Sequence, residues 1–451
     1  MISPLLSVAE MAAVDAAAHD LDALIERAGR AVAREAVRLM GGAYGRRVVV
    51  LAGPGNNGAD GRVAAAVLER AGVRVRVVEL GEPIDGHRPD LVIDAAVGAG
   101  LSRPFTAPEL PWATPVLAVD VPSGLDGDTG LVRGRVWPAE RTVTFGAAKP
   151  GHLLEAGPEY CGDVVVVDIG LDLGVVSPTM FHLSAVAAGS WLVNRSRHDH
   201  KWTHGVRVIA GSPGMTGAAS LTSLGALRAG AGIVVVSMVD GSTAVDLPTE
   251  VVQEPVDDVL KDLAATDRFR SVVIGPGAGD VDGAELAAAV GRRTSGVVVL
   301  DADAIRAVAA HADAVRTSAA MVVITPHDGE LARLAPTGAD RLSRVRDVAA
   351  RFGAVVVSKG PTNVVAAPTG EVVLVDHGDQ RLATAGSGDV LAGVVAAVVE
   401  ATDDGVDAAH RVASAAVLHA EAARLAGTVG ITASDIAEAL PRARARVEGR
   451  T

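Results

Sequence analysis

Short apolar runs rich in β-branched residues alternate with helix-length stretches along most of this chain. RRVVVLAG (46–53), VRVRVVEL (73–80), DLVIDAAV (90–97), VLAVDVP (116–122), TVTFGA (142–147) and DVVVVDIGL (163–171) form a first series. VRVIAGS (206–212), GIVVVSM (232–238), SVVIGPG (271–277), VVVLDAD (297–303), MVVITPH (321–327) and AVVVSKG (354–360) form a second, and NVVAAP with EVVLVDH (363–377) reads as a hairpin around Thr369-Gly370. Strands alternating with helices argue an α/β fold with parallel, doubly wound sheets and right-handed crossovers. At 451 residues the chain exceeds what one hydrophobic core usually serves. The pattern lapses over 172–205, where His182, His198, His200 and His204 gather in spacings that fit no standard ligand set. The expected division is therefore a domain over 1–175, a linker over 176–200 and a second domain over 201–451.

Other features narrow the partners. Aromatic residues make up only 2% of the chain against 51 glycines, so its cores must be built from Ala, Val and Leu packed under glycine turns. A formal net charge of −13 disfavours nucleic acid and anionic membrane surfaces. Anionic small ligands must then be met by backbone N–H groups and single basic residues. Cys161 is the one cysteine, which fits a reducing, cytoplasmic setting. No apolar run reaches ~18 residues, so no membrane span is expected. The opening MISPLLSVAEMAAVD lacks a basic n-region, and Ser7 with Glu10 reads as a capping box before a helix.

The loops after the strands carry the chemistry. LAGPGNNGADG (51–61) holds Gly53, Gly55 and Gly58, a formal G-x-G-x-x-G after a strand, with Glu79 about 20 residues on. That keeps an NAD-dependent oxidoreductase open, yet Asn56, Asn57 and Asp60 crowd the place a pyrophosphate would take. Asp94, Asp120 and Ser123 lie at two further strand ends, on the rim where open α/β sheets bind ligands. Asn57, Asp94 and Ser123 offer only oxygens and one formal charge, which suits an alkali cation, and leave Asp120 for acid–base work. In the second half, GSPGMTGAAS (211–220) and GPGAG (275–279) are glycine turns with small neighbours that admit a flat ligand. His327 and Lys359 sit at strand ends. TAGSGDVLAG (384–393) is a glycine loop opening a helix, an anion-attracting arrangement that nevertheless carries Asp389. Neither half contains the P-loop pattern.

GPGNNGADG, DAAVGAGLSRP, DVPSGLDGDTG and FGAAKPG (145–151) resemble the NAD(P)H-hydrate epimerases over residues 5–172. TAGSGDVLAG resembles the anion-hole loop of ribokinase-like enzymes. Together with GMTGAA, GPGAG, TPHDGELARL (325–334) and KGPTN (359–363), it makes 200–445 similar to the ADP-dependent NAD(P)H-hydrate dehydratases. The resemblance implies a Rossmann-like first domain and a ribokinase-like second one, joined as in the bifunctional enzymes that repair hydrated NADH and NADPH.

It also implies roles. Asn56, Asn57, Gly58, Ala59 and Asp60 would hold the substrate's phosphates. K⁺ would lie on Asn57, Asp94 and Ser123. Gly98, Ala99, Gly100, Leu101, Ser102, Arg103 and Pro104 would line the substrate, with Asp120 as acid–base. In the second domain Ala218, Gly277, Gly279 and His327 would contact the hydrated nucleotide. Lys359, Gly360, Pro361, Thr362 and Asn363 would hold ADP, and Gly386 and Gly388 the AMP portion, with Mg²⁺ neutralising the charge of the transferring phosphoryl group. Asp389 would take the substrate hydroxyl's proton, the helix dipole keeping it charged, while N–H groups at 386–389 stabilise the phosphoryl group. Two departures stand out: Asp328 where many relatives have Pro, and Thr362 one place early for K-G-x-x-T. The expected partners are NADHX, NADPHX and ADP, in a homo-oligomeric cytoplasmic enzyme. The rival reading is a ribokinase-like small-molecule kinase fused to a Rossmann-like nucleotide-binding domain.

Overall fold

The computed structural model describes residues 2–101, 103–239, 246–256, 258–265, 268–338, 340–401 and 407–450. The chain forms two compact units, one over Ser3–Met180 and one made of Ile2 with the residues from Phe181 onward.

A short strand, β1 (Ile2–Leu5), precedes the helix Val8–Ala16 with which the first unit begins. The expected capping box is present: the Ser7 hydroxyl accepts the Glu10 N–H, and the Glu10 carboxylate accepts the Ser7 N–H at 2.8 Å. Six strands follow: β2 (Arg47–Ala52), β3 (Arg74–Glu79), β4 (Leu91–Ala95), β5 (Val116–Val119), β6 (Arg141–Phe145) and β7 (Asp163–Val167). They pair in parallel in the order β3-β2-β4-β5-β6-β7. The chain order reverses between β2 and β4, and that reversal opens a crevice beyond their carboxyl ends. Helices Leu21–Met40 and Asn56–Arg70 cover one face, packing Val32 and Leu68 on Val50 and Ile93. The other face departs from the expected helical crossovers. No helix connects β3 to β4, β4 to β5 or β5 to β6 among the described residues. Instead Ile84, Ala107 and Trp137, from those connections, bury Leu51 and Val92.

The second unit contains β8 (Met180–Leu183), β9 (Gly205–Ile209), β10 (Ile233–Ser237), β11 (Val252–Gln253), β12 (Ser271–Ile274), β13 (Val297–Leu300), β14 (Met321–Ile324), β15 (Val355–Ser358), β16 (Asn363–Ala366) and β17 (Val372–Val375). Its order runs β8-β17-β16-β15-β14-β13-β12-β9-β10-β11. Pairing is parallel from β11 to β15, and antiparallel through the expected hairpin β16–β17. The order reverses between β9 and β12, giving this unit its own crevice.

The segment expected to be a linker is largely built into the second unit. Leu183, Ala188 and Leu192 lie in its core beside Val206 and Ala226. The histidines there serve structure: His182 bonds Asp376 at 2.8 Å and His204 bonds Asp199 at 2.8 Å.

The small residues of helix Thr216–Ala229 have a packing role besides ligand access. A Cβ on Gly225 would meet the Val390 carbonyl oxygen at 2.6 Å, and one on Gly393 would meet that of Thr222 at 2.1 Å. Helix Thr216–Ala229 and helix Ser387–Val398 therefore touch backbone to backbone. Gly393→Ala gains up to ~1 kcal/mol of helix propensity, but it forces a methyl into backbone that cannot yield, at ~1–3 kcal/mol. The clash should win, lowering the thermal unfolding midpoint of the second unit and leaving that of the first unchanged in calorimetry.

Candidate active sites

In the first unit, β2 ends on Ala52, and a Cβ on the next residue, Gly53, would sit 1.9 Å from the Ala96 carbonyl oxygen. Gly58 is pinned likewise, 1.8 Å from the Gly53 oxygen. These contacts seat the amino end of helix Asn56–Arg70 against the end of β4 and leave a cavity of ≈ 450 Å³. Asn56, Asn57, Asp60, Gly98, Ala99, Gly100 and Asp120 line it, as expected. Gly58 and Ala59 do not, because Gly58 turns into the loop beneath. Leu101, Arg103 and Pro104 are also absent from the lining, and Ser102 lies outside the described residues. Glu79 pairs with Arg62, which itself bonds the Gly53 carbonyl oxygen at 3.1 Å. The acid that a dinucleotide fingerprint would offer to a ribose is thus taken by an arginine.

Asp120 is held in the left-handed region at φ 65, which aspartate tolerates. One carboxylate oxygen accepts from Lys149 Nζ at 2.6 Å and Thr144 Oγ1 at 2.9 Å; the other accepts from the Ala99 N–H at 3.0 Å. Burial pushes this carboxyl up, but the Lys149 ammonium and its hydrogen bond outweigh burial and hold it at about 2. Asp120 is therefore an anchored anion and a weak base. Its partner Lys149, only 1% exposed, lies within FGAAKPG and is a site residue that sequence reasoning misses. The signal that marks it is a lysine flanked by small residues just past a strand end. His152 completes the support. Burial lowers it to about 4, so it is neutral. Its Nδ1 accepts the Lys149 N–H at 3.1 Å, so Nε2 carries the proton and donates to the Asp120 carbonyl oxygen at 2.8 Å.

Asp60 faces the same cavity without the lysine. Burial, then the charges of Asp120 and Asp15, raise it to about 8. Asp94 is fully buried and raised by burial. Its oxygens accept from Ser123 Oγ at 2.6 Å and the Ser123 N–H at 2.8 Å. Asn57 lies across Gly98 from Asp120, since a Cβ there would meet Asn57 Oδ1 at 3.2 Å and Asp120 Oδ2 at 3.1 Å.

The second crevice repeats the logic. A Cβ on Gly275, just after β12, would lie 1.9 Å from the Asp301 carbonyl oxygen. Gly277 and Gly279 take φ 60 and 75, and a Cβ on Gly277 would touch Ala218 Cβ at 3.0 Å, so Ala218 and the GPGAG turn share one wall. Asp301, at the end of β13 and 1% exposed, accepts from Lys359 Nζ and Thr325 Oγ1, each at 2.8 Å. Asp301 was not expected as a site residue. Burial opposes charge on Lys359, but Asp301 and other nearby carboxylates raise it overall. Lys359 Nζ would lie 3.3 Å from a Cβ on Gly388, which puts it beside the glycine loop.

Gly386 takes φ 87 to start helix Ser387–Val398. Two expectations about this loop need correction. The Ser387 N–H is already given to the Thr384 carbonyl at 3.2 Å, which leaves the amides of Gly386, Gly388 and Asp389 from the expected set. Asp389 is not simply held charged by the helix dipole: burial and the charge of Asp301 raise it to about 7, against the lowering effect of Lys359. The Lys359–Asn363 loop is braced by Arg341, which donates to the Ser358 and Thr362 carbonyls at 2.8 and 2.9 Å. Thr362 and Asn363 are buried, and the Asn363 side chain accepts the Gly360 N–H at 3.3 Å; Pro361 is exposed. Asp328 lies 3.7 Å from Arg341, joining the brace. His327 is largely exposed and caps its helix, accepting the Gly329 N–H at 3.0 Å.

Two glycine-built crevices at topological switch points, each with one lysine set among carboxylates, define a two-domain α/β enzyme. The model of the NAD(P)H-hydrate dehydratase family matches residues 206–442, and that described as YjeF-related protein N-terminus matches 21–88 and 79–151. The bifunctional NAD(P)H-hydrate repair enzyme of Mycobacterium tuberculosis is 38% identical over 399 residues, covering 82% of this chain and 81% of that protein. Its Mycobacterium leprae counterpart is 38% identical over 424 residues, covering 87% and 86%. A solved ribokinase-like superfamily protein from Enterococcus faecalis V583 superposes with a TM-score of 0.50 at 20% identity, covering 60% of this chain and 98% of that one, a likeness of fold. The chain belongs to the bifunctional NAD(P)H-hydrate repair enzymes.

Asp60 generates a prediction about stability. Its folded value is raised from 3.8 to about 8, so between those pH values the native state holds a proton that the unfolded chain has lost. Stability from this site therefore falls as pH rises through that window. Asp60→Asn should raise the unfolding midpoint of the first unit at pH 8 and change it little below pH ~4. An equal shift at both pH values would contradict the assignment.

Proposed function

We propose that this protein repairs hydrated NADH and NADPH: the first unit interconverts the R and S hydrates, and the second dehydrates the S form at the expense of ADP. The observation that carries the reading is the second crevice. A carboxyl poised near neutrality opens a glycine-led helix, beside a lysine fixed on a strand-end aspartate.

In this scheme Asp389 takes the proton of the ring hydroxyl as that oxygen attacks the terminal phosphorus of ADP. The Gly388 and Asp389 amides and Lys359 meet the charge on the phosphoryl group, and AMP leaves. The hydroxyl, a poor leaving group, becomes a phosphate ester. Loss of phosphate together with a proton from the adjacent ring carbon restores the dihydronicotinamide. Mg²⁺ arrives with ADP as part of that substrate.

In the first unit, inversion at the hydroxylated carbon needs a bond broken and reformed on the other face, with a proton given and taken. Lys149, held by Asp120, and the neutral Asp60 are the groups placed to do so. Asn57, Asp94 and Ser123 would hold K⁺. The fit rests on Asp94, a buried carboxyl with no basic partner among the described residues and otherwise only neutral donors around it. One charge plus neutral oxygens matches a monovalent ion. K⁺ bound there would supply a positive charge near the anionic nucleotide.

Purified protein should convert mixed NADHX epimers completely to NADH when ADP and Mg²⁺ are present, read at the NADH absorbance band, and should form no NADH without ADP. Consumption of only half the mixture would deny the first unit its role. Lys149→Ala should give that half-conversion, with epimerisation slowed at least ~10²-fold and dehydration of the S form unchanged.

Asp389→Asn should lower dehydration at least ~10²-fold with normal epimerisation. In the wild type, kcat/KM for dehydration should rise with pH through a limb near 7, because the ionised form of Asp389 is the base. A limb that persists in the Asn variant would assign it to another group.

A further inference from the structure

The hairpin β16–β17 turns at Thr369-Gly370 and delivers Glu371 to the amino end of helix Ala408–Ala426, where Asp407 and His410 stand. We propose that Glu371, Asp407 and His410 form a binding site for a divalent transition-metal ion, with zinc as the best match. One ligand atom from each residue lies within 4.8 Å of the others, and His410 Nδ1 is 3.1 Å from Glu371 Oε1. Bound at about 2.0–2.1 Å, tetrahedral zinc ligands sit ~3.4 Å apart, so a small inward movement of the carboxylates closes the set. Three protein ligands and a water complete the coordination, and two carboxylates with a neutral imidazole cancel the ion's charge.

The imidazole gives a second, independent reason. His410 is 4% exposed, and its Nε2 has no hydrogen-bond partner. With the proton on Nδ1 for Glu371, a buried Nε2 lone pair is orphaned. With the proton on Nε2, that N–H is orphaned and Nδ1 faces a carboxylate lone pair to lone pair. No neutral tautomer satisfies the ring within the protein. A metal ion on Nδ1, the nitrogen facing the carboxylates, removes the lone-pair conflict at that nitrogen and the repulsion between the two acids together, with the ring proton then carried on Nε2. The ring is already aimed: it stacks on Trp191 at 5.3 Å and 28° and tilts against Phe181 at 5.3 Å. Arg411 lies over the Trp191 ring, 5.8 Å from its centroid.

The site lies away from the dehydratase crevice. Ala366, at the end of β16, pairs with Val356 near the start of β15, whereas Lys359 follows the other end of β15. The hairpin turn is therefore at the opposite edge of the sheet from Lys359. An ion there would staple the hairpin to the helix and would act on stability.

The test uses the full chain freed of metal with EDTA, titrated with Zn²⁺ by calorimetry and with Co²⁺ by visible absorption, beside Glu371→Gln and Asp407→Asn. The wild type should bind one ion that raises its unfolding midpoint and gives a Co²⁺ d–d band. Each variant should lose at least ~10-fold in affinity and lose the band, with ADP-dependent dehydration unchanged. Two carboxylate variants are used because His410 is packed in the core; if one fails to fold, the other decides. No stoichiometric binding by the wild type, or equal affinity in both variants as adventitious binding at the histidines of 182–204 would give, overturns the proposal.

Discussion

Everything chemical in this protein depends on one steric constraint, the approach of backbone to backbone where strands end at the two switch points. Gly53 and Gly275 follow β2 and β12, and each would put a Cβ 1.9 Å from the carbonyl of a neighbouring strand end. Any side chain at either place would push the strand ends apart by more than an ångström. The loops behind them would then lose their seats. Asn57 and Asp120 face each other across Gly98, and Lys359 reaches Gly388, only because these ends converge.

On that frame both crevices use the same electrostatic device, one ammonium among too many carboxylates. Lys149 goes to Asp120 and Lys359 to Asp301, each within 2.8 Å. The carboxyl left over in each crevice meets burial and the charge of its neighbour without full compensation. Asp60 rises to about 8 and Asp389 to about 7, while the paired Asp120 falls to about 2. A single lysine thus separates two like groups into a fixed anion and a proton carrier at neutral pH. Without the lysine both acids would rise. With two, both would stay charged, and neither would exchange protons near pH 7.

The sequence shows the fold class plainly, because β-branched runs at strand length and glycine turns after them are local signals. It also places Asp94, Asp120, Ser123 and Asp389 at strand or helix ends. It misses what is decided by nonlocal packing. Lys149 and Asp301 look like ordinary strand-end residues until the sheet brings each to its partner. Leu183 and Leu192 read as linker because their core partners lie in β9 and in helix Thr216–Ala229. The glycines of that helix read as room for a ligand, since Gly393, which meets it, is far along the chain. Helix dipole reasoning put Asp389 on the charged side. It left out Asp301, which only the fold brings near.

The acid in the anion hole follows from these same charges. A permanently ionised Asp389 would repel an incoming phosphate, and a neutral residue could not take the hydroxyl's proton. At about 7 the carboxyl does neither absolutely. On the proposed reading, a phosphoryl group held by the Gly388 and Asp389 amides adds negative charge beside the carboxylate. Like charge raises proton affinity, so the nucleotide strengthens the base beside which it binds. Lys359 limits that rise, because its ammonium, anchored on Asp301, faces both the loop and the carboxylate. The glycines hold the phosphate's oxygens, and the phosphate in turn makes Asp389 a better acceptor for the proton that must leave before the oxygen can attack.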